Sequence, residues 1–178
     1  MKTYQNQKQL PNIQTQLVAA KKLLATRKPV EVTAPSTVIA TNNTWTNATV
    51  IERNPAWVDL SPASYVWGAN DPTNSAAVVA QSFRIRLGDL RRISSAQLKL
   101  STDNYGIVLI NGEPVLIDQP NQNTSNFNPG RTFNVRPFLL VGRNDIVIAG
   151  FNFPQGALRS PSNPAGIAAV LQINMRRR

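Results

Sequence analysis

Tyr105-Gly106-Ile107-Val108-Leu109-Ile110-Asn111-Gly112-Glu113-Pro114-Val115-Leu116-Ile117 sets two apolar runs on either side of an Asn-Gly pair. Asn and Gly tolerate the positive φ angles of a two-residue turn, so the spacing predicts a tight β-hairpin with Asn111 and Gly112 at its tip. Just upstream, Gln97-Leu98-Lys99-Leu100 alternates polar and apolar residues, as a strand with one buried face requires. Further short runs of strand type lie at 30–33, 38–40, 48–52, 78–87, 96–101, 106–110, 115–117, 132–135, 145–151 and 167–173. Pro, Gly, Asn and Ser separate them and no helical period intervenes. Many short strands without helices between them define an all-β sandwich or barrel.

The front of the chain reads differently. Ile13, Leu17, Ala20 and Leu24 recur at helical spacing, and Lys21, Lys22 and Lys28 lie off that stripe. This predicts one amphipathic basic helix over 12–28, stopped by Pro29. Its stripe has three readings: packing on its own sandwich, docking to another subunit, or lying on an anionic surface. The resulting plan is a basic arm over 1–29, a sandwich over 30–175 and an Arg tail at 176–178.

Charge follows the same plan. Of the net +10, residues 1–30 supply six basic side chains and no acidic one, and Arg176, Arg177 and Arg178 add three more. The stretch between holds ten basic and nine acidic side chains. A nearly neutral body argues against a sandwich face that reads nucleic acid, while the basic termini leave a polyanion or acidic neighbours open as partners. With 42% apolar and 16% charged residues in 178, the chain can bury a core in one domain. It has no Cys and no His. Disulfides, thiol nucleophiles, imidazole bases and the commonest zinc ligands are therefore absent. No apolar run reaches the length of a signal peptide core or a membrane span. The expectation is cytoplasmic synthesis without a Sec signal, with deposition on a spore or virion-type surface.

Several segments in order resemble the jelly-roll domains of the galactose-binding-like superfamily. Gln81-Ser82-Phe83-Arg84-Ile85-Arg86-Leu87, Ala96-Gln97-Leu98-Lys99-Leu100-Ser101-Thr102-Asp103 and the Asn-Gly hairpin carry the first half of the likeness. Phe138-Leu139-Leu140-Val141-Gly142-Arg143-Asn144-Asp145-Ile146-Val147-Ile148 and Pro164-Ala165-Gly166-Ile167-Ala168-Ala169-Val170-Leu171 carry the second, so it spans about 31–175. The resemblance implies an antiparallel sandwich of eight or so strands, a sugar-binding, surface or accessory module rather than an enzyme. It carries no ligand site across. Asn111, Gly112, Gly142 and Asn144 match positions that shape turns, and Asp103 belongs with them, expected to anchor a strand end through backbone hydrogen bonds.

Candidate contact residues fall in three groups. Trp45, Trp57 and Tyr105 could offer faces for a sugar ring, with core packing as the alternative. The amide-rich stretch 118–130 offers Asn121, Asn123 and Phe127, with Arg131 beyond it, for a ligand or a neighbouring subunit. Ile13, Leu17, Lys21 and Leu24 form the face of the arm for subunit contacts. No carboxylate pair, phosphate loop or Asp-rich calcium loop stands out, so no catalytic residue, metal or cofactor is expected. The leading expectation is a non-catalytic, self-assembling structural subunit, a homo-oligomer or larger assembly with no membrane span. A carbohydrate-binding module and a polyanion tether acting through the basic termini are the alternatives.

Overall fold

The Asn-Gly turn closes a hairpin, with Asn111 at φ 54° and Gly112 at φ 84°, as a primed turn requires. The computed structural model describes residues 10–119 and 126–177. Helix α1 spans Leu10–Thr26 and is followed by β1 (Val30–Glu31), β2 (Ser36–Ala40), β3 (Ala48–Val50) and β4 (Val66–Gly68). Then come β5 (Ala76–Ile85), β6 (Ile93–Asp103), β7 (Tyr105–Ile110) and β8 (Glu113–Ile117). The last strands are β9 (Arg131–Asn134), β10 (Gly142–Phe151) and β11 (Gly166–Met175).

The strands form two sheets. The first has the order β1-β5-β10-β7-β8. The second runs β3-β4-β11-β6-β9, with β2 also pairing β11. All pairs are antiparallel except β1 with β5. The chain is thus an all-β sandwich with one N-terminal helix. Because side chains alternate along a strand, each sheet turns one set of residues inward. Phe83, Ile85, Ile110, Ile146 and Ile148 of the first sheet meet Leu98, Leu100, Ile167, Leu171 and Ile173 of the second in one buried core. At Gly150 a Cβ would lie 2.7 Å from Ile167 Cγ1, so glycine there is what lets the sheets close.

The first sheet is apolar on its outer face as well. Ala76, Val78, Ala80, Val147, Ala149, Tyr105 and Phe151 point away from the sandwich core, and Ala20 and Leu24 of α1 cover them, with Leu17 packed alongside. The helix therefore seals its own sheet, the first of the three readings. Its end is fixed electrostatically. Arg143 donates to the carbonyl oxygens of Leu24 and Arg27 and, at 2.9 Å, to Ser82 Oγ, while Asp145 holds its Nε at 3.2 Å. A cation at a helix C-terminus also opposes the helix dipole.

Three expectations need correction. The helix starts at Leu10 and ends at Thr26 rather than spanning 12–28. Lys28 precedes proline, which disfavours helical backbone, and Arg143 takes the terminal carbonyls before that point. The described residues form eleven strands rather than eight or so, since β1, β3 and β4 are pieces of only two or three residues. Strand β4 was not among the expected runs: Val66-Trp67-Gly68 is three residues long and buried throughout, so it shows no alternation.

Candidate functional site

The aromatic platform does not exist. Trp45, Trp57 and Tyr105 are only 2%, 3% and 4% exposed, so none offers a ring face to a ligand. Each is consumed internally. Trp45 Nε1 donates to the Ala40 carbonyl at 2.9 Å. Trp57 lies against Tyr65, ring centroids 4.7 Å apart, and Tyr105 stacks on Phe151 at 4.9 Å beneath α1. The physical reason is area: a folded chain of this size gains more from burying such rings than from displaying them.

Asp103 anchors a strand end, but through a side chain rather than the backbone. Its carboxylate accepts the Trp57 indole N–H at 2.7 Å in a buried position. Burial pushes its pKa up to about 6, and the indole hydrogen bond opposes that rise. Tyr65 completes the cluster by donating to Val58 O at 2.8 Å, and its hydroxyl lies 2.7 Å from Ser101 Oγ. Burial raises the Tyr65 pKa.

The other turn residues form one knot. Asn144 is fully buried, accepts the Leu140 amide and the Asn111 Nδ2 at 2.8 Å each, and donates to the Leu140 and Gly142 carbonyls. Gly142 itself sits at φ 90°. Asn111 adds bonds to Phe138 O and the Asp145 amide. These side chains tie the hairpin tip to the turn before β10.

The amide-rich stretch is tied inward at both flanks. Asn121 and Asn123 lie outside the described residues. Phe127 packs, half-buried, on the Trp57 and Tyr65 cluster, and its carbonyl accepts Val58 N–H at 2.9 Å and Ser101 Oγ–H at 3.1 Å. Arg131 is engaged by Asp118, two N–H groups on two carboxylate oxygens at 2.7 Å each. Phe127 and Arg131 therefore tie the described flank of this stretch to the sandwich. In the arm, Leu17 and Leu24 face the first sheet and Lys21 is exposed. Ile13 belongs to α1, and its side chain lies outside the described ones.

A surface not anticipated from the sequence lies on the outer face of the second sheet. Register places Val38, Gln172, Gln97 and Asn134 in one row across β2, β11, β6 and β9, and Ala40, Val170, Lys99 and Thr132 in the next. The segment Asp59-Leu60-Ser61-Pro62 rises beside these rows and closes a groove of about 180 Å³ lined by Val38, Gln97, Lys99, Val170 and Gln172. Among the described residues the side chains of Gln97 and Lys99 have no partner, while Gln172 makes one long contact, 3.5 Å, to Asn174. Two amides, an ammonium and the Asp59 carboxylate supply donors and acceptors, and Val38 and Val170 supply an apolar floor. That combination suits a neutral polyhydroxyl ligand with one apolar face. The signal was available in the alternation itself: Gln97 and Lys99, and again Val170 and Gln172, occupy the outward positions of two adjacent strands.

The carboxylate lining this groove is that of Asp59, and the ammonium is that of Lys99. Elsewhere Asp89 pairs with Arg92, Asp118 with Arg131, Asp145 with Arg143, and Glu31 lies between Arg84 and Arg86. Among the described residues no three His, Cys, Asp or Glu side chains gather as metal ligands. No helix among them is long and apolar enough to cross a membrane.

What the fold and groove define is a β-sandwich with a polar groove on the outer face of its second sheet. Comparison with solved structures returns glycosidase chains. An α-L-rhamnosidase from Streptomyces avermitilis, complexed with L-rhamnose, is 18% identical over 75% of this chain and 12% of that one, with a TM-score of 0.49. An α-L-rhamnosidase from Aspergillus terreus is 15% identical over 56% and 12%, with a TM-score of 0.38. A β-D-mannosidase from Dictyoglomus thermophilum is 17% identical over 53% and 15%, with a TM-score of 0.37. This chain thus spans only about an eighth of the rhamnosidases it matches. Likenesses of this size say nothing about ligand or chemistry here. No protein-family model matches the chain, and no curated protein does.

Proposed function

We propose that this chain is a non-catalytic, galactose-binding-like module that binds carbohydrate on the outer face of its second sheet. The observation that carries the reading is the row of Gln97 and Gln172 beside Lys99, over Val38 and Val170, in a groove walled by the Asp59 segment. Amide side chains present a donor and an acceptor together and can bridge neighbouring hydroxyls. The small apolar floor offers contact to the C–H side of a sugar ring. The non-catalytic part rests on a chain without His or Cys and on five of its nine carboxylates being engaged by arginine or indole.

A glycan array of neutral oligosaccharides tests this, followed by calorimetry on Gln97→Ala/Gln172→Ala. The expected result is millimolar to micromolar binding in the parent, weakened about tenfold or more in the double variant at unchanged melting temperature. That loss corresponds to about 1.4 kcal/mol, the scale of one or two hydrogen bonds. An empty array, or equal binding by the variant, defeats the reading.

A second reading, a homo-oligomeric structural subunit, draws on the exposed side of α1. Val18 and Leu23 remain 66% and 47% exposed while Ala20 and Leu24 are covered by the chain's own sheet. If the helix also joins subunits, Val18→Ser/Leu23→Ser shifts the protein to smaller species in sedimentation velocity. A parent that stays monomeric at high concentration removes this reading.

A further inference from the structure

The sum of charge along the chain conceals where the cations meet in space. The backbone of Arg176 is bonded in both directions to Arg92, by N–H to Arg92 O at 2.9 Å and by its carbonyl from Arg92 Nη2 at 2.8 Å. This stitches the end of β11 to the turn at 90–92 and brings tail arginines beside body arginines. The result is an open groove of about 490 Å³ at one end of the sandwich, with Arg86, Arg92, Arg177 and Asp89 around a floor of Val32 and Pro35. Arg84, Arg91 and Arg176 flank these residues in sequence. The carboxylates there are Glu31, shared between Arg84 at 3.7 Å and Arg86 at 3.5 Å, and Asp89, paired with Arg92 at 2.8 Å. Arg91 and Arg177 have no side-chain partner among the described residues, so the groove keeps a clear cationic excess.

We infer that this groove is an anion-recognition site for an acidic saccharide, one that carries sulfate, phosphate or carboxylate groups together with free hydroxyls. Guanidinium forks match such oxyanions in a bidentate manner. Asp89 in the lining, with Glu31 beside Arg86, offers spare acceptor oxygens to hydroxyls of the same ligand, which the phosphates of DNA cannot supply. The lining of the groove also holds no aromatic ring, and single-stranded nucleic acid is held chiefly by base stacking on such rings. The site is separate in position and chemistry from the sheet-face groove, and each can fail without the other.

The test measures binding of a defined sulfated oligosaccharide, a heparin hexasaccharide, to the full chain at 150 mM salt. The same hexasaccharide after desulfation and a short DNA duplex are run in parallel. Arg86→Gln/Arg177→Gln removes two cations from the groove, and Lys21→Gln/Lys22→Gln removes two from the exposed side of α1 as a matched charge control. Melting temperatures of both variants establish that they are folded. The expected outcome is saturable binding of the sulfated sugar, weakened at least about tenfold by the arginine pair and less than about twofold by the lysine pair, with the desulfated sugar, which keeps only its carboxylates, bound more weakly. Equal losses in the two variants, or DNA binding as tightly as the hexasaccharide, overturn the inference, as does the absence of binding at that salt.

Discussion

Replacing Asp103 by Asn separates the charge of this buried carboxyl from its shape. The pKa of Asp103 rises from 3.8 to about 6 on folding, chiefly through burial. The folded state therefore holds the proton more tightly than the unfolded chain. Sign follows directly: the carboxyl costs nothing below the unfolded pKa, and its cost grows as pH climbs from about 4 to about 6 and then levels off. A rise of about two units amounts to roughly 3 kcal/mol at neutral pH. Asn retains an oxygen to accept the Trp57 indole N–H, so that bond survives, and any penalty from its extra N–H groups is the same at every pH. Urea unfolding of parent and Asp103→Asn at pH 3.5 and pH 7.5 gives four stabilities, and the informative quantity is the change in their difference. It should shift in favour of the variant by about 2 to 3 kcal/mol between the two pH values. If the difference stays constant across that range, Asp103 is not a buried charged carboxylate and the reasoning fails.

Other perturbations follow from the packing. Arg143→Met removes the cap from the end of α1 and should cost about 2 kcal/mol. It should also speed tryptic cleavage at Lys21 and Lys22, whereas a global loss without faster cleavage there would show that the helix is held by its apolar face alone. Gly150→Ala drives a methyl into Ile167 and Trp67 at 2.7 and 3.2 Å and should lower stability by about 1 to 3 kcal/mol in urea titration. A neutral outcome would mean that the two sheets can separate to admit it.

What could be read from the sequence was local. The Asn111-Gly112 turn dictates its own geometry, and the alternation from Gln97 to Leu100 follows from a strand with one wet face. The docking of α1 on its own sheet stood as one of three readings of the helical stripe, and the strands held the signal to choose it: Ala76-Ala77-Val78-Val79-Ala80 and Ile146-Val147-Ile148-Ala149 do not alternate, and such runs belong to strands covered on both sides. Ala76, Ala80 and Ala149 among them lie beneath the helix. Trp57 and Asp103 stand 46 positions apart, and no local pattern announces an indole seeking a carboxylate. Composition gave the body's charge as near zero and could not reveal that Arg86, Arg92 and Arg177 share one end, because that depends on where β11 stops.

The pairing of β11 has a consequence for how the molecule comes into being. This strand joins β6 along one side and β2 and β4 along the other, yet it is synthesised after all three. Until it emerges, the second layer is three pieces, β2, β3 with β4, and β6 with β9, with nothing to join them, while β5, β7 and β10 can already assemble. Folding of the sandwich is therefore a keystone process, in which one late insertion turns separate pieces into a wall. A nascent chain stalled before Gly166 would be sticky and open to proteolysis in a way that the finished protein is not.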